Sequence, residues 1–368
     1  MKEKNLTRRE PLTDTQLLMT ITIGIFVVMY LLSMIIFQGG FLHPQQIFDM
    51  LNDNASLIIV SCGLTIVMIG GGIDISVGAV TSLVVMSCAI YLRNGGNVFV
   101  SILLALGIGL TFGVVQGLLI SYLEIQPFIV TLAGMFFARG MTTILSVDPV
   151  KIEEHPWIVK VHEKTLEIDW LGYKGKLGNT IPGRIEIGAV IALCIVAIVF
   201  LLLRFVRLGR NFYAMGGNQQ SALMLGINIK RTRFLSYLIC GCLSGISGYV
   251  FLMHTGAGNA TNAAGMEMNA IASSIIGGTL LTGGVGNIIG TFFGTMTLTT
   301  IKKIVVSSGL NQPWWQSITT GGMLCFFILM QSVVLGQRAK KKGNAGGIKQ
   351  MFKKIRRIKT RNKSEEQD

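Results

Sequence analysis

The chain has 368 residues, of which 51% are hydrophobic and 14% charged, and its formal net charge is +14. An ordinary soluble domain carries about 25% charged residues, so this composition excludes one and points to a protein embedded in lipid. The basic excess lies mostly at the C-terminal end, where the rule governing membrane topology accounts for it without nucleic-acid binding.

Residues 1–16 form an arm containing Lys2, Lys4, Arg8 and Arg9. The first apolar window, residues 17–37, is longer than a cleavable signal core and no A-x-A-like site follows it, so it is predicted to stay as a span. Windows 98–119, 128–147, 187–205, 234–253 and 315–334 are also long enough to cross about 30 Å of hydrocarbon at 1.5 Å per residue. Four shorter, glycine-broken windows, 55–69, 78–92, 268–281 and 288–304, bring the expected total to about ten transmembrane helices in an all-α integral membrane protein. An even number places both termini on one side. Six basic residues in the 204–233 loop and twelve in 338–363 mark that side as cytoplasmic. On the opposite side, the loop 148–184 holds six basic residues balanced by six acids; it is read as a cap with a short helix or hairpin. Trp157, Trp170, Trp314 and Trp315 all fall on this outer side, as interfacial anchors would.

The transmembrane domain is thus expected over 17–334, with a cytoplasmic loop at 208–233 and a basic cytoplasmic tail at 335–368. In the tail, Ile348, Met351, Phe352, Ile355 and Ile358 recur at helical spacing among lysines and arginines, which suits a helix lying on anionic membrane lipid. Each half of the chain holds five windows, compatible with an internal repeat. All six cysteines lie in apolar windows and read as packing residues, with no metal site.

The 45 glycines gather at 70–78, 107–117, 241–248 and 277–294. In lipid, small residues let helices approach closely, which accounts for most of these clusters. The first differs, because Asp74 and Ser76 sit among the glycines between apolar stretches; it reads as a helix break facing a passage, since irregular backbone at membrane depth needs protein or water to satisfy it. The second break, residues 283–287, reads equally as a cytoplasmic turn. Asp74 and Arg139 are the ionisable residues clearly inside predicted spans, and buried charge in a bilayer marks functional candidates. Arg139 is read as a structural partner for backbone carbonyls or for Asp74, and a pair between the two is predicted. The chain holds no G-x-x-x-x-G-K-[ST], H-E-x-x-H, C-x-x-C or G-x-S-x-G motif, so enzymatic chemistry and a resident cofactor have no evident home.

In the cytoplasmic loop, Asn218 suits an N-cap and Gly226 a C′ position, enclosing a helix of about seven residues, roughly 10 Å long. Such a helix cannot span. It is predicted to expose Ala222, Leu225 and Ile227, apolar surface that calls for a groove on a partner.

The run Gly71-Gly72-Ile73-Asp74-Ile75-Ser76-Val77-Gly78 resembles the GGIDLSVG signature of the permease subunits of bacterial ATP-binding cassette importers for ribose, xylose, galactose and galactofuranose, with Ile75 where leucine is commoner. Gly216-Gly217-Asn218 through Gly226-Ile227 is similar to that family's cytoplasmic loop. Thr131 to Gly140 and Ala270 to Gly286 match as well, and the resemblance runs over about 17–334. The Leu-Ala-Gly-Met-Phe-Phe run at 132–137 and Trp314-Trp315 lean toward galactofuranose-type members, while the basic tail departs from the family's usual short end. The resemblance implies a type II importer permease fold in the bacterial cytoplasmic membrane and translocation of a monosaccharide, with ATP hydrolysed by a separate ATPase subunit. It further implies a second permease, identical or homologous, and an extracytoplasmic sugar-binding protein. It assigns Gly216, Gly217, Asn218, Ala222, Leu225, Gly226 and Ile227 to the ATPase-coupling loop, while Gly72, Asp74, Ser76, Arg139 and Thr279 are read as residues of the translocation path. The runner-up, an ion-coupled secondary transporter of a small neutral solute, would keep several intramembrane carboxylates or histidines.

Overall fold

A computed structural model of the chain describes residues 14–37, 43, 45–152, 155–163, 165–174, 180–334 and 336. The basic tail with its expected lipid-facing helix, and all of the N-terminal arm before Asp14, lie outside the described residues. Two compact units divide the chain, residues 1–324 and 325–368.

The first unit opens with α1 (Asp14–Ile36), α2 (Gln45–Ile69), α3 (Val77–Arg93), α4 (Val98–Ser121) and α5 (Pro127–Leu145). After the segment 148–184 come α7 (Ile187–Phe205), α8 (Arg207–Gly217), α9 (Gln219–Met224), α10 (Ile229–Thr255), α11 (Met266–Ile276) and α12 (Ile288–Ser307). A last helix, α13, covers Pro313–Val334. Seven of the described helices, α1, α2, α4, α5, α7, α10 and α13, are long and apolar enough to cross a membrane. The 148–184 segment, expected to hold a short helix or a hairpin, contains the helix α6 (Pro156–Glu163) and an antiparallel pair of strands, β2 (Leu166–Lys174) and β3 (Thr180–Ile185). Two short strands, β1 (Val150–Lys151) and β4 (Ala257–Gly258), pair and tie this segment to the end of α10.

Window 55–69 is not short: α2 has 25 residues and starts at Gln45. Its polar entry, Asn52-Asp53-Asn54, hid that start from a hydropathy reading. The structure satisfies Asn52 by a donation to Arg184 O at 3.1 Å and by acceptance from Glu186 N at 3.0 Å, so the amide is buried without loss of hydrogen bonding. α2 is the central helix. In its apolar window 89% of residues are buried, against 17% for α1 and 22% for α4 and α5, whose outward faces are left for lipid.

α10 packs on α2, α3 and α4. Where α4 and α10 cross, Gly109 and Gly113 face Gly241 and Gly245 backbone to backbone, and a Cβ on Gly109 would collide with Gly241 O and one on Gly241 with Gly109 O. This is the small-x-x-x-small crossing that lets two helices meet where water supplies no drive. Buried hydroxyls join other helices: Thr65 of α2 bonds Ser274 of α11 at 2.9 Å and Thr291 of α12 at 2.8 Å, and Ser56 of α2 bonds Ser247 of α10 at 2.6 Å. At the end of the bundle near residues 148–184, His254 Nδ1 lies 2.7 Å from Glu186 Oε2, linking the last turn of α10 to the entry of α7. At the other end Lys230 donates to Glu124 Oε1 at 2.9 Å, and this hydrogen bond holds the Glu124 carboxyl below the usual carboxylate range.

Candidate functional site

α2 ends at Ile69 because the next residues are glycines that can reverse the chain. Gly71 takes φ +82°, and the amides of Gly70, Gly71 and Gly72 bond back to Ile66, Met68 and Val67 carbonyls. The second glycine break, 283–286, lies against this turn. Gly284 N donates to Ile69 O at 2.8 Å, and Gly283 has φ +84° with its Cβ position closed off by Gly71 and Gly216 backbone. The end of α8 completes the junction: a Cβ on Gly216 would strike Ile69 O, and Tyr213 donates its hydroxyl to Gly286 O at 2.9 Å. Three glycine-rich turns, far apart in sequence, thus meet at one point, and the 283–287 break is a packed turn that also supplies Asn287, whose side chain caps α12 by accepting from Ile289 N.

From this junction projects α9. Asn218 Oδ1 accepts from Ser221 N at 2.8 Å, and Gly226 has φ +76°, so the N-cap and the C′ glycine stand where the sequence placed them. Gly217 is exposed, and a Cβ there would touch nothing within 4 Å. The exposed face differs from the expected one. Ala222 is buried, and Ile227, whose amide bonds Ala222 O at 3.1 Å, packs partly into the core. A six-residue helix resting on α8 must turn one side inward, and Ala222 is on that side. What protrudes is Leu223, Met224 and Leu225, at 55%, 88% and 78% exposure. The sequence reading also missed α8, an amphipathic helix that buries Gly209, Phe212 and Met215 and exposes Arg207 and Arg210.

In the α2–α3 link, Ile73 O accepts from the Tyr237 hydroxyl at 3.3 Å, and Tyr237 fills the space a Cβ on Gly72 would need. Asp74 Oδ1 accepts from Ser76 N at 2.9 Å and Ser76 Oγ at 2.7 Å; Cys240 of α10 hydrogen-bonds the same carboxyl, and Gln116 of α4 donates to Ser76 Oγ at 2.8 Å. Asp74 and Ser76 are almost fully buried, so within this chain they close a polar knot among α3, α4 and α10 rather than line an open channel. Thr279 is buried too, in the turn after α11, beside Gly286. Gln116, Tyr237 and Cys240 were not foreseen; a lone amide in the apolar run of α4 was the available signal.

Arg139 does not reach Asp74. Its guanidinium donates to Asn262 O and Ala263 O, each at 2.9 Å, and lies 3.9 Å from Glu267 Oε2. The carbonyl-holding role expected of Arg139 is therefore present, while the expected acidic partner is replaced by Glu267, in the first turn of α11. Glu267 escaped notice because it stands just before an apolar window. The two charges meet on the side of the molecule away from the glycine junction, where the chain reverses between α10 and α11 with Ala263 at φ +54°.

A family model described as "Branched-chain amino acid transport system / permease component" matches residues 46–328. The chain is 37% identical over 314 residues to the inner membrane ABC transporter permease protein YjfF of Escherichia coli, covering 84% of this chain and 90% of that one. It is 31% identical to the fructose import permease protein FruG of Bifidobacterium longum, over 89% and 95% of the two chains. With the ribose import permease protein RbsC of Escherichia coli it shares 28% identity over 80% and 87%. No solved structure matches.

Proposed function

The chain belongs to the branched-chain amino acid transport system permease family, and from that premise we propose that it is the membrane subunit of an ATP-binding cassette importer that carries a monosaccharide into the cytoplasm. As a family member it is a transporter component rather than an enzyme, and the seven long apolar helices among the described residues make it a multi-pass inner-membrane protein. The sugar reading draws on the fructose and ribose import named for two relatives. ATP is spent by a separate cytoplasmic ATPase; a second permease subunit and an extracytoplasmic sugar-binding protein complete the assembly.

The observation that carries this reading is the protruding Leu223-Met224-Leu225 on a short capped helix seated on the glycine junction. Bare apolar side chains on a polar loop fit a partner groove, and α8, on which α9 rests, meets the end of α2 and the turn before α12 at the junction, so a displacement of α9 reaches both through α8. Gly216, Gly217, Asn218 and Gly226 shape this coupling element, Ala222 and Ile227 anchor it, and Leu225 with Met224 makes the contact. Met224→Asp and Leu225→Asp should each reduce ATPase co-purification at least about tenfold with insertion unchanged, in line with loss of an interface anchor costing about 2 kcal/mol or more. Ala222→Asp should instead unfold the loop.

The course of the chain supports ten crossings with both ends on the cytoplasmic side. α3 and α12, at 17 and 20 residues, cover about 26 and 30 Å. α11, at 11 residues, covers about 16 Å, and the buried turn after it completes the passage back to the junction. Asp74, Ser76, Gly72, Arg139 and Thr279 then act on the path by holding the helices that enclose it.

Reconstitution with and without the ATPase tests the proposal. Uptake of labelled D-fructose, D-ribose or D-galactose should require ATP and the ATPase and ignore ionophores. Accumulation that persists without the ATPase and collapses with an ionophore would establish the ion-coupled reading instead.

A further inference from the structure

A polar cavity of about 360 Å³ opens between the outer part of α2, the end of α10, the 261–264 turn and α12. Its lining includes Asn54, Phe251, Thr261, Asn262, Asn269 and Lys302. Asn54 lies fifteen positions before the last residue of α2, so the cavity stands about 22 Å along that helix from the glycine junction, toward the face opposite α9. We propose that this cavity is a docking site for a small, neutral, polyhydroxylated solute at the outer mouth of the path, a reading that rests on the transport function proposed above.

The volume falls within the about 300–1,000 Å³ typical of small-molecule sites. The chemistry of the walls matches a sugar. Lys302 donates to Asn269 Oδ1 at 2.9 Å, which fixes the amide and leaves the Asn269 N–H groups with no protein acceptor among the described residues. Asn262 Nδ2 is likewise fixed on Ala257 O at 3.1 Å, and Arg139 holds the Asn262 and Ala263 carbonyls from behind, so the turn that forms one wall is rigid. Amides and hydroxyls present donors and acceptors side by side, which is what vicinal hydroxyl groups need, and Phe251 adds an apolar ring for the C–H face of a sugar. Charge of both signs stands at the walls, Asp53 with Lys303 at 3.5 Å and His254 Nε2 at 4.0 Å, and Lys302 bonded to Asn269, so no field of a single sign selects an ion over a neutral solute. A second cavity of about 290 Å³, past Gln46, Thr299 and Ser307, shares Lys302, so the polar surface continues along α12.

The test uses the complete importer in cells, with initial uptake of labelled D-ribose, D-fructose and D-galactose, and of D-galacturonate as an anionic comparison. Asn269→Leu and Thr261→Val should lower maximal uptake of the neutral sugar carried by the wild type at least tenfold, with membrane abundance and basal ATP hydrolysis unchanged. Because Asn269→Leu also releases Lys302, Thr261→Cys on the exposed turn provides a second route: attachment of a bulky methanethiosulfonate there should block uptake, and the carried sugar should slow the attachment, relative to the unsubstituted chain treated alike. Wild-type uptake in both substitutions and no sugar protection at position 261 would overturn the site while leaving the transport reading intact. Preferential carriage of D-galacturonate, abolished by Lys302→Met, would overturn the neutral assignment. Failure of the wild type to carry any of these sugars at the expense of ATP would remove both proposals together.

Discussion

Arg139 shows how a charge survives near lipid: its guanidinium is spent on two backbone carbonyls and on Glu267, which is nearly buried. Removing one member of such a set leaves the other desolvated and unpaired, a loss of about 3 kcal/mol. Arg139→Met should therefore lower the thermal midpoint of the detergent-solubilised protein clearly, and Arg139→Met with Glu267→Gln should lose less than the two single losses combined, as a double-mutant cycle would record. Asp74 answers to a different neighbourhood, Ser76, Gln116 and Cys240. Its effects should add to those of Arg139 without coupling, and exchanging the two charges should rescue nothing.

Among elements, the crossing of α4 on α10 depends on the absence of side chains. Gly241 faces Gly109 and Gly113 so closely that any Cβ meets backbone, which cannot rotate away. Gly241→Ile should cost at least about 3 kcal/mol through overpacking, read as loss of folded protein in size-exclusion chromatography after heating. Gly107 lies on the same helix with nothing within 4 Å of its Cβ position, so Gly107→Ala should be neutral or slightly favourable by helix propensity. The pair distinguishes a packing role from a general need for glycine in α4. α2 makes the complementary point: at its polar entry Asn52 reaches the backbone of residues 184 and 186 and Gln45 that of residue 184, so Asn52→Leu should loosen the 148–184 segment and speed hydrogen exchange in β3.

At the largest scale, the first unit places α9 and the 148–184 segment at opposite ends of its helix bundle. A cysteine at Met224 should react with an impermeant maleimide only from the cytoplasmic side, and one at exposed Val159 only from the outside; labelling of both from one side would defeat the proposed orientation. The sequence by itself determined the membrane class, the apolar windows, the glycine breaks and the capped helix at Asn218 to Gly226. Each of these is a local property, set by the transfer of apolar side chains, by the left-handed backbone only glycine adopts freely, and by a side chain bonding the amide three residues on. The tertiary structure decided which distant segments share a surface. It gave Arg139 to Glu267 instead of Asp74, turned Ala222 inward and Met224 outward, extended α2 by ten residues beyond its hydropathy signal, and brought three glycine turns to one junction. Except for the turn of α9, which its neighbour α8 sets, those outcomes depend on partners more than fifty residues away in the chain, whose proximity is fixed by how the helices pack and not by any spacing within a single segment.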